Sequence, residues 1–238
     1  MACRHPSLTI EQAGGATHVN PRSVSITGAT GYLGSALSAA LIERGHDVCA
    51  LIRPGTSQRV TRGARIVELD LFSEDELAQA LRPGATVVHL IGTAHPSPRK
   101  ALEFLRVDLA SVRVCAAAAV RANSAHFIYV SVAQPAPVMK AYVDARAAGE
   151  KILSDSGLAV TVLQPWYVLS PGHRWPVALL PLYVCAQLIP SARQSARRLG
   201  LVTHRQMIQA LVQSVEAPPE TRATRVLEVP EIRHAGRS

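Results

Sequence analysis

The chain is poor in aromatics. Phe, Trp and Tyr together make up 4% of its 238 residues, too few for the stacked rings on which single-stranded nucleic-acid binders hold bases. Cysteine is also sparse. Cys3, Cys49, Cys115 and Cys185 are scattered with no CxxC pair, which argues against a metal knuckle or a redox dithiol. Cys49 and Cys115 lie in apolar runs and read as small core residues, so a reduced, cytoplasmic setting is expected. No stretch reaches the ~18 apolar residues of a spanning helix. The nearest, Trp175 to Pro190, is broken by Pro176 and Pro181. The first 22 residues lack an apolar core of the signal-peptide kind and read as a flexible polar leader. Lysine is nearly missing: Lys100, Lys140 and Lys151 stand among 25 cationic residues, against 17 acidic ones. The net charge of +8 is therefore carried by arginine and reads as a solvated surface that sets solubility and steering. With no recognition motif beside it, no nucleic-acid partner is expected. No His, Cys or Asp cluster has metal-ligand spacing, so no metal is expected.

Hydrophobic residues are plentiful, at 48%, enough for a sizeable core. Short Val- and Ile-rich runs alternate with helical patterns. Strands are predicted over 23–27, 47–53, 64–70, 85–92, 126–133 and 159–165. Helices are predicted over 32–45, 73–84, where Ser73 and Glu76 form a capping box, 100–123 and 140–157. This alternation implies βαβ units and a doubly wound parallel α/β sheet covered on both faces. From Pro165 the pattern turns Pro-rich and apolar. Residues 23–165 thus read as a core, and 166–235 as a small C-terminal lobe integrated with that core, over the carboxyl ends of the strands, where such sheets bind ligands.

"TGATGYLG" lies between the first strand and first helix. Gly28, Gly31 and Gly34 have GxxGxxG spacing. The first allows a tight turn, the second a close approach to a pyrophosphate, the third close helix packing. The backbone N–H groups of Thr30, Gly31, Tyr32 and Leu33 then face an anion at a helix N-terminus. The second strand ends in Arg53, with Arg59 and Arg62 following, where an acidic residue would bind the ribose hydroxyl of NAD. A cation there favours the 2′-phosphate of NADP(H) over NAD(H).

The motif resembles the TGxxGxxG fingerprint of the short-chain dehydrogenase/reductase superfamily, and the longer pattern resembles its extended and atypical branches, the NAD-dependent epimerase/dehydratase and NmrA-like groups. The resemblance implies a Rossmann fold and further site residues. Asp70 and Leu71 are similar to the acidic position and its neighbour that contact adenine. "VVHLIG" resembles the strand end lining the cofactor, with Ile91 and Gly92 at its tip. "LQPWYVLSPG" resembles the "RPxxvyGpG" turn beside nicotinamide and substrate, with Gln164 in place of arginine. The family's YxxxK appears as "YVDAR", with Tyr142 matched and Arg146 in place of lysine. The family's catalytic hydroxyl falls on Val132, and Ser131 is one residue early. Tyr142, Arg146 and Ser131 are the catalytic candidates. His95, Trp166 and His173 are the candidates for lining a substrate pocket. His89 reads as a satisfied core histidine.

Arg146 has two readings: a ribose and tyrosine partner, or a surface ion pair with Glu150 one turn on. The 175–190 segment reads first as core of the small lobe, and otherwise as an apolar pocket or a peripheral membrane contact. The expected function is an NADP(H)-dependent oxidoreductase, or an epimerase- or dehydratase-like enzyme, on a small and apolar substrate. The alternative is a nucleotide-binding sensor or accessory subunit without turnover, similar to NmrA-like regulators or the nucleotide-binding subunit of respiratory complex I. The oligomeric state is left open.

Overall fold

The computed structural model describes residues 20–94, 96–136, 139–169, 200–220 and 222–236. The leader up to residue 19, His95, His173 and the whole 175–190 segment lie outside the described residues.

The chain alternates strand and helix: β1 (Ser23–Thr27), α1 (Tyr32–Glu43), β2 (Asp47–Ile52), β3 (Arg65–Glu68), α2 (Glu74–Ala80) and β4 (Thr86–His89). Next come α3 (Ala101–Glu103), a π-helical segment (Phe104–Leu109), α4 (Ala110–Arg121), β5 (His126–Val130), α5 (Lys140–Asp155) and β6 (Val160–Leu163). The end of the chain adds β7 (Tyr167–Leu169), β8 (Leu201–Thr203), a helix α6 (His204–Glu216), β9 (Thr224–Leu227) and a helix α7 (Val229–Ala235). Seven strands form one sheet in the order β3-β2-β1-β4-β5-β6-β9, all parallel. Strand order reverses between β1 and β4, which opens a crevice at their carboxyl ends.

Two apolar layers sandwich the sheet. Val24, Ile26, Val48, Ala50 and Ile52 point to one side, against Leu37 and Leu41 of α1 and Met207, Ala210 and Leu211 of α6. Cys49, Leu51, Val87, Phe127 and Val160 point to the other, against Leu77 of α2, Val112 and Cys115 of α4 and Leu153 of α5. Side chains alternate along each strand, so the continuous apolar runs in the sequence fill both layers. Among the described residues no helix is long and apolar enough to cross a membrane.

Beyond β6, α6 packs on the same face as α1, and β9 extends the main sheet. β7 and β8 form a parallel pair of their own. One expectation needs correction. The single helix predicted over 100–123 is interrupted: Phe104–Leu109 is π-helical, and the wider turn carries Asp108, which is 1% exposed, into the interior. Insertions of this kind concentrate at functional sites.

Two buried histidines tie the strands together. His89 bonds Thr27 Oγ1 through Nδ1 at 3.0 Å and Ser111 Oγ through Nε2 at 3.2 Å. Burial, reinforced by the charge of Arg146, pushes it down to about 3. His126, bonded to Thr161 Oγ1 at 2.9 Å, is likewise pushed down to about 3, by burial first and then by Arg225 and Arg22. Both are neutral in the folded protein. Below pH ~6.5 the unfolded chain takes up protons that the folded one refuses, so stability is complete above that pH and is lost as the pH falls towards 3. The slope is about 1.4 kcal/mol per pH unit for each histidine. Urea unfolding should therefore show a midpoint falling from pH 7.5 to 5, and His126→Asn should flatten that profile. Parallel profiles for the two proteins would refute the assignment.

Candidate nucleotide and reaction site

β1 feeds directly into the glycine turn. Gly28 adopts φ +76°, and a Cβ there would lie 2.9 Å from the Leu90 carbonyl at the end of β4. The Gly31 N–H donates to Gly28 O at 3.0 Å, closing the turn. Gly31 is the N-cap of α1, and no side chain caps the helix. The first N–H groups and the positive end of the helix dipole are thus left for an anion. Tyr32 is exposed, and its ring lies 4.2 Å from that of His204 on α6. Leu33 packs against the core beneath.

On the β2 and β3 side, Arg53 is exposed directly after β2. Arg59 returns to the glycine turn, where Nη2 donates to Thr30 O at 3.3 Å. Two cations therefore flank this half of the crevice. The acidic group close by is Glu68 of β3, which accepts the Gly55 N–H at 3.3 Å. Asp70 is exposed and holds its own turn by accepting the Phe72 N–H at 2.9 Å. The Leu71 side chain is buried in the α4-side core, which leaves its backbone to face a ligand.

The β4 and β5 side carries the polar chemistry. Tyr142 and Arg146 share one face of α5, and the guanidinium lies 5.2 Å from the centre of the Tyr142 ring. Phe104 meets the same ring edge-on at 5.1 Å. Arg146 is only 6% exposed and does not pair with Glu150. Its Nη2 donates to Asp108 Oδ1 at 2.5 Å and its Nη1 to Val130 O at 2.9 Å. The surface-pair reading is overturned because the π-helical turn brings Asp108 to the guanidinium first. Burial alone would lower the arginine's affinity for its proton; Tyr142, Tyr129 and Asp108 outweigh it and raise it instead. Gly92 sits on this ion pair. A Cβ there would collide with Arg146 Nη2 and lie 3.1 Å from Asp108 Oδ1. Ile91 turns its side chain into the α4-side core.

Ser131 is held elsewhere. It is 3% exposed and donates to Glu150 Oε1, which also accepts from Gln134 Nε2 at 2.7 Å and Gln164 Nε2 at 2.9 Å. Glu150 lies eight residues beyond Tyr142 on α5, about 12 Å along the axis. The serine hydroxyl is therefore engaged two turns away from the tyrosine. Trp166 is half-buried and packs on the α6-side core just before β7. Lys140 and Lys151 are exposed and pair with Asp144 and Asp155, so neither replaces the motif lysine. Asp108 and Thr93 were not singled out by sequence reasoning, although an aspartate within the apolar run "FLRVDLASV" carries the signal of a buried, partnered charge.

Comparison with known proteins agrees with this geometry. Residues 28–175 match the NAD(P)H-binding family. A ceramide reductase from Caulobacter vibrioides is 29% identical over 177 residues, covering 73% of this chain and 55% of that protein. The chain thus spans about half the length of that relative. Among solved structures, MoeE5 in complex with UDP-glucose and NAD superposes with a TM-score of 0.65 at 20% identity, over 88% of this chain and 79% of the other. The UDP-N-acetylglucosamine 4-epimerase from Bacillus cereus gives 0.63 at 14% identity, over 90% and 82%. A crevice built to take a pyridine nucleotide, on this sheet order and with this family match, identifies the chain as a member of the NAD(P)H-binding family.

Proposed function

We propose that the protein is an NADP(H)-dependent oxidoreductase that reduces a small, apolar carbonyl compound, with Tyr142 as the proton donor. The observation that carries this reading is the placement of Tyr142, half-buried on the β4–β5 side of the crevice, with a buried guanidinium 5.2 Å from its ring. A nicotinamide bound there supplies or accepts hydride at carbon. The phenol gives its proton to the carbonyl oxygen as the alcohol forms, and solvent restores it through the exposed part of the ring. The positive charge of Arg146 stabilises the phenolate left behind. The similarity to a ceramide reductase makes apolar carbonyl compounds the class to test first.

The preference for NADP(H) is supported by Arg53 and by Arg59, whose guanidinium is already at the phosphate turn. A charge-assisted hydrogen bond contributes about 1.5–3 kcal/mol, or roughly 10–100-fold in affinity. The double substitution Arg53→Ala with Arg59→Ala should weaken NADPH binding by about that factor and leave NADH binding within about twofold. Titration of nicotinamide fluorescence reads both, and an equal loss for the two nucleotides would refute the preference.

The second reading, a nucleotide sensor or accessory subunit without turnover, draws on the commitment of Ser131 to Glu150 and of Arg146 to Asp108. Incubation with NADPH deuterated at either face of C4, together with a lipid-containing metabolite extract, separates the two. Protein-dependent deuterium in a metabolite, abolished by Tyr142→Phe while NADPH stays bound, is the result expected of the enzyme. Tight NADPH binding with no transfer from either stereoisomer would favour the sensor.

A further inference from the structure

We propose that Asp108 is a positioning residue for the nicotinamide half of the bound nucleotide, acting through Arg146 and Thr93; this rests on the nucleotide-binding reading given above. One carboxylate serves two cofactor-facing segments. Its Oδ1 takes Nη2 of Arg146 at 2.5 Å. Its Oδ2 takes both the backbone N–H of Thr93 at 3.1 Å and the Thr93 hydroxyl at 2.6 Å. Thr93 and Gly92 lie just past β4, on the far side of the switch point from Arg53 and Asp70. In an open parallel sheet the nucleotide crosses this switch point, so the half that does not contact β2 and β3 lies over the ends of β4 and β5. Asp108 thereby sets the height of the Gly92–Thr93 backbone under that half.

Arg146 completes the clamp from the other side. It reaches Val130 O at the end of β5 at 2.9 Å, and its buried Nε has no partner among the described residues. The two donors used on Asp108 and Val130 are therefore not free to grip a ribose. The guanidinium joins the carboxyl ends of β4 and β5 to α5 and lies beside Tyr142, and Asp108 holds it there. Gly92 has no side chain because the ion pair occupies that space. A surface charge pair would contribute little to such an arrangement. This pair is buried, at 8% and 1% side-chain exposure, and its partners come from separate elements, so a change at Asp108 is felt at the loop and at the tyrosine together.

The test compares two probes on the same variants. NADPH fills both halves of the crevice; adenosine 2′,5′-bisphosphate fills only the adenine half. Asp108→Asn keeps the shape and removes the charge. It should weaken NADPH binding at least tenfold while leaving the bisphosphate within twofold, measured by isothermal titration. Asp108→Asn with Arg146→Gln removes both charges, relieving the unpaired cation should the single variant fold poorly, and should show the same split between the probes. Equal losses for both probes would mean a general structural role, and unchanged NADPH affinity would mean none in positioning; either overturns the proposal. Failure of the unsubstituted protein to bind NADPH would instead overturn the nucleotide-binding reading itself.

Discussion

Gly34→Ala is expected to abolish nucleotide binding. A Cβ at this position would lie 2.7 Å from Ala29 Cα and 2.9 Å from Gly28 C, and closer still to Gly28 O. All three atoms are backbone of the phosphate turn, so no side chain can swing aside. α1 must move away from the turn, and the N–H groups at its first turn move with it. Losing two charge-assisted hydrogen bonds to the pyrophosphate, at about 1.5–3 kcal/mol each, weakens binding by roughly 10²–10⁴-fold. The forced shift of a packed helix costs about 1–3 kcal/mol of stability as well. Gly45→Ala is the matched control. Gly45 has φ +81° but, among the described residues, nothing within 4 Å of its missing Cβ, so that variant carries the backbone strain of about 1 kcal/mol and should keep its affinity for NADPH. Fluorescence titration and thermal unfolding of the two variants side by side measure the contrast. Equal affinities would mean that α1 does not present its N-terminus to the phosphate.

The glycine turn was legible in the sequence because its chemistry is local. Three glycines, the strand before them and the helix after them lie within a dozen or so residues, and each position answers to backbone geometry alone. The six strands from β1 to β6 were legible for a related reason: Val- and Ile-rich runs between helical patterns have few other uses in a parallel sheet. β9 was not. Its sequence, Thr224–Leu227, is two polar residues followed by two apolar ones at the edge of the sheet, where one side of the strand stays exposed. Such a stretch has no periodic signal long enough to separate it from a loop. α6 has a clear apolar stripe through Met207, Leu211 and Val215, but a stripe does not name its partner; the packing beside α1 does. The substitution of arginine at position 146 was visible; its partner was not. Glu150 was the local choice at one turn, whereas Asp108 is 38 residues away and reaches Arg146 only because the helix widens at Phe104–Leu109. Ser131 illustrates the same limit. Its position one residue early was readable, but its commitment to Glu150 and the neighbouring glutamines required the ends of β5 and β6 to be brought against α5.

Arg146→Gln should produce the largest loss of stability among single substitutions at the site. The variant leaves the Asp108 carboxylate 1% exposed, held by Thr93 alone and without a countercharge. Removing one member of a buried pair costs about 3–5 kcal/mol, out of a total stability of about 5–15 kcal/mol for a protein domain. At roughly 2–4 °C per kcal/mol for a chain of this size, the midpoint of thermal unfolding should fall by on the order of 6–20 °C. A double-mutant cycle identifies the cause. Adding Asp108→Asn to the variant removes the carboxylate that has lost its countercharge, so it should recover part of the loss. No recovery would mean that Arg146 contributes by packing against Tyr142 and Tyr129 rather than by neutralising Asp108.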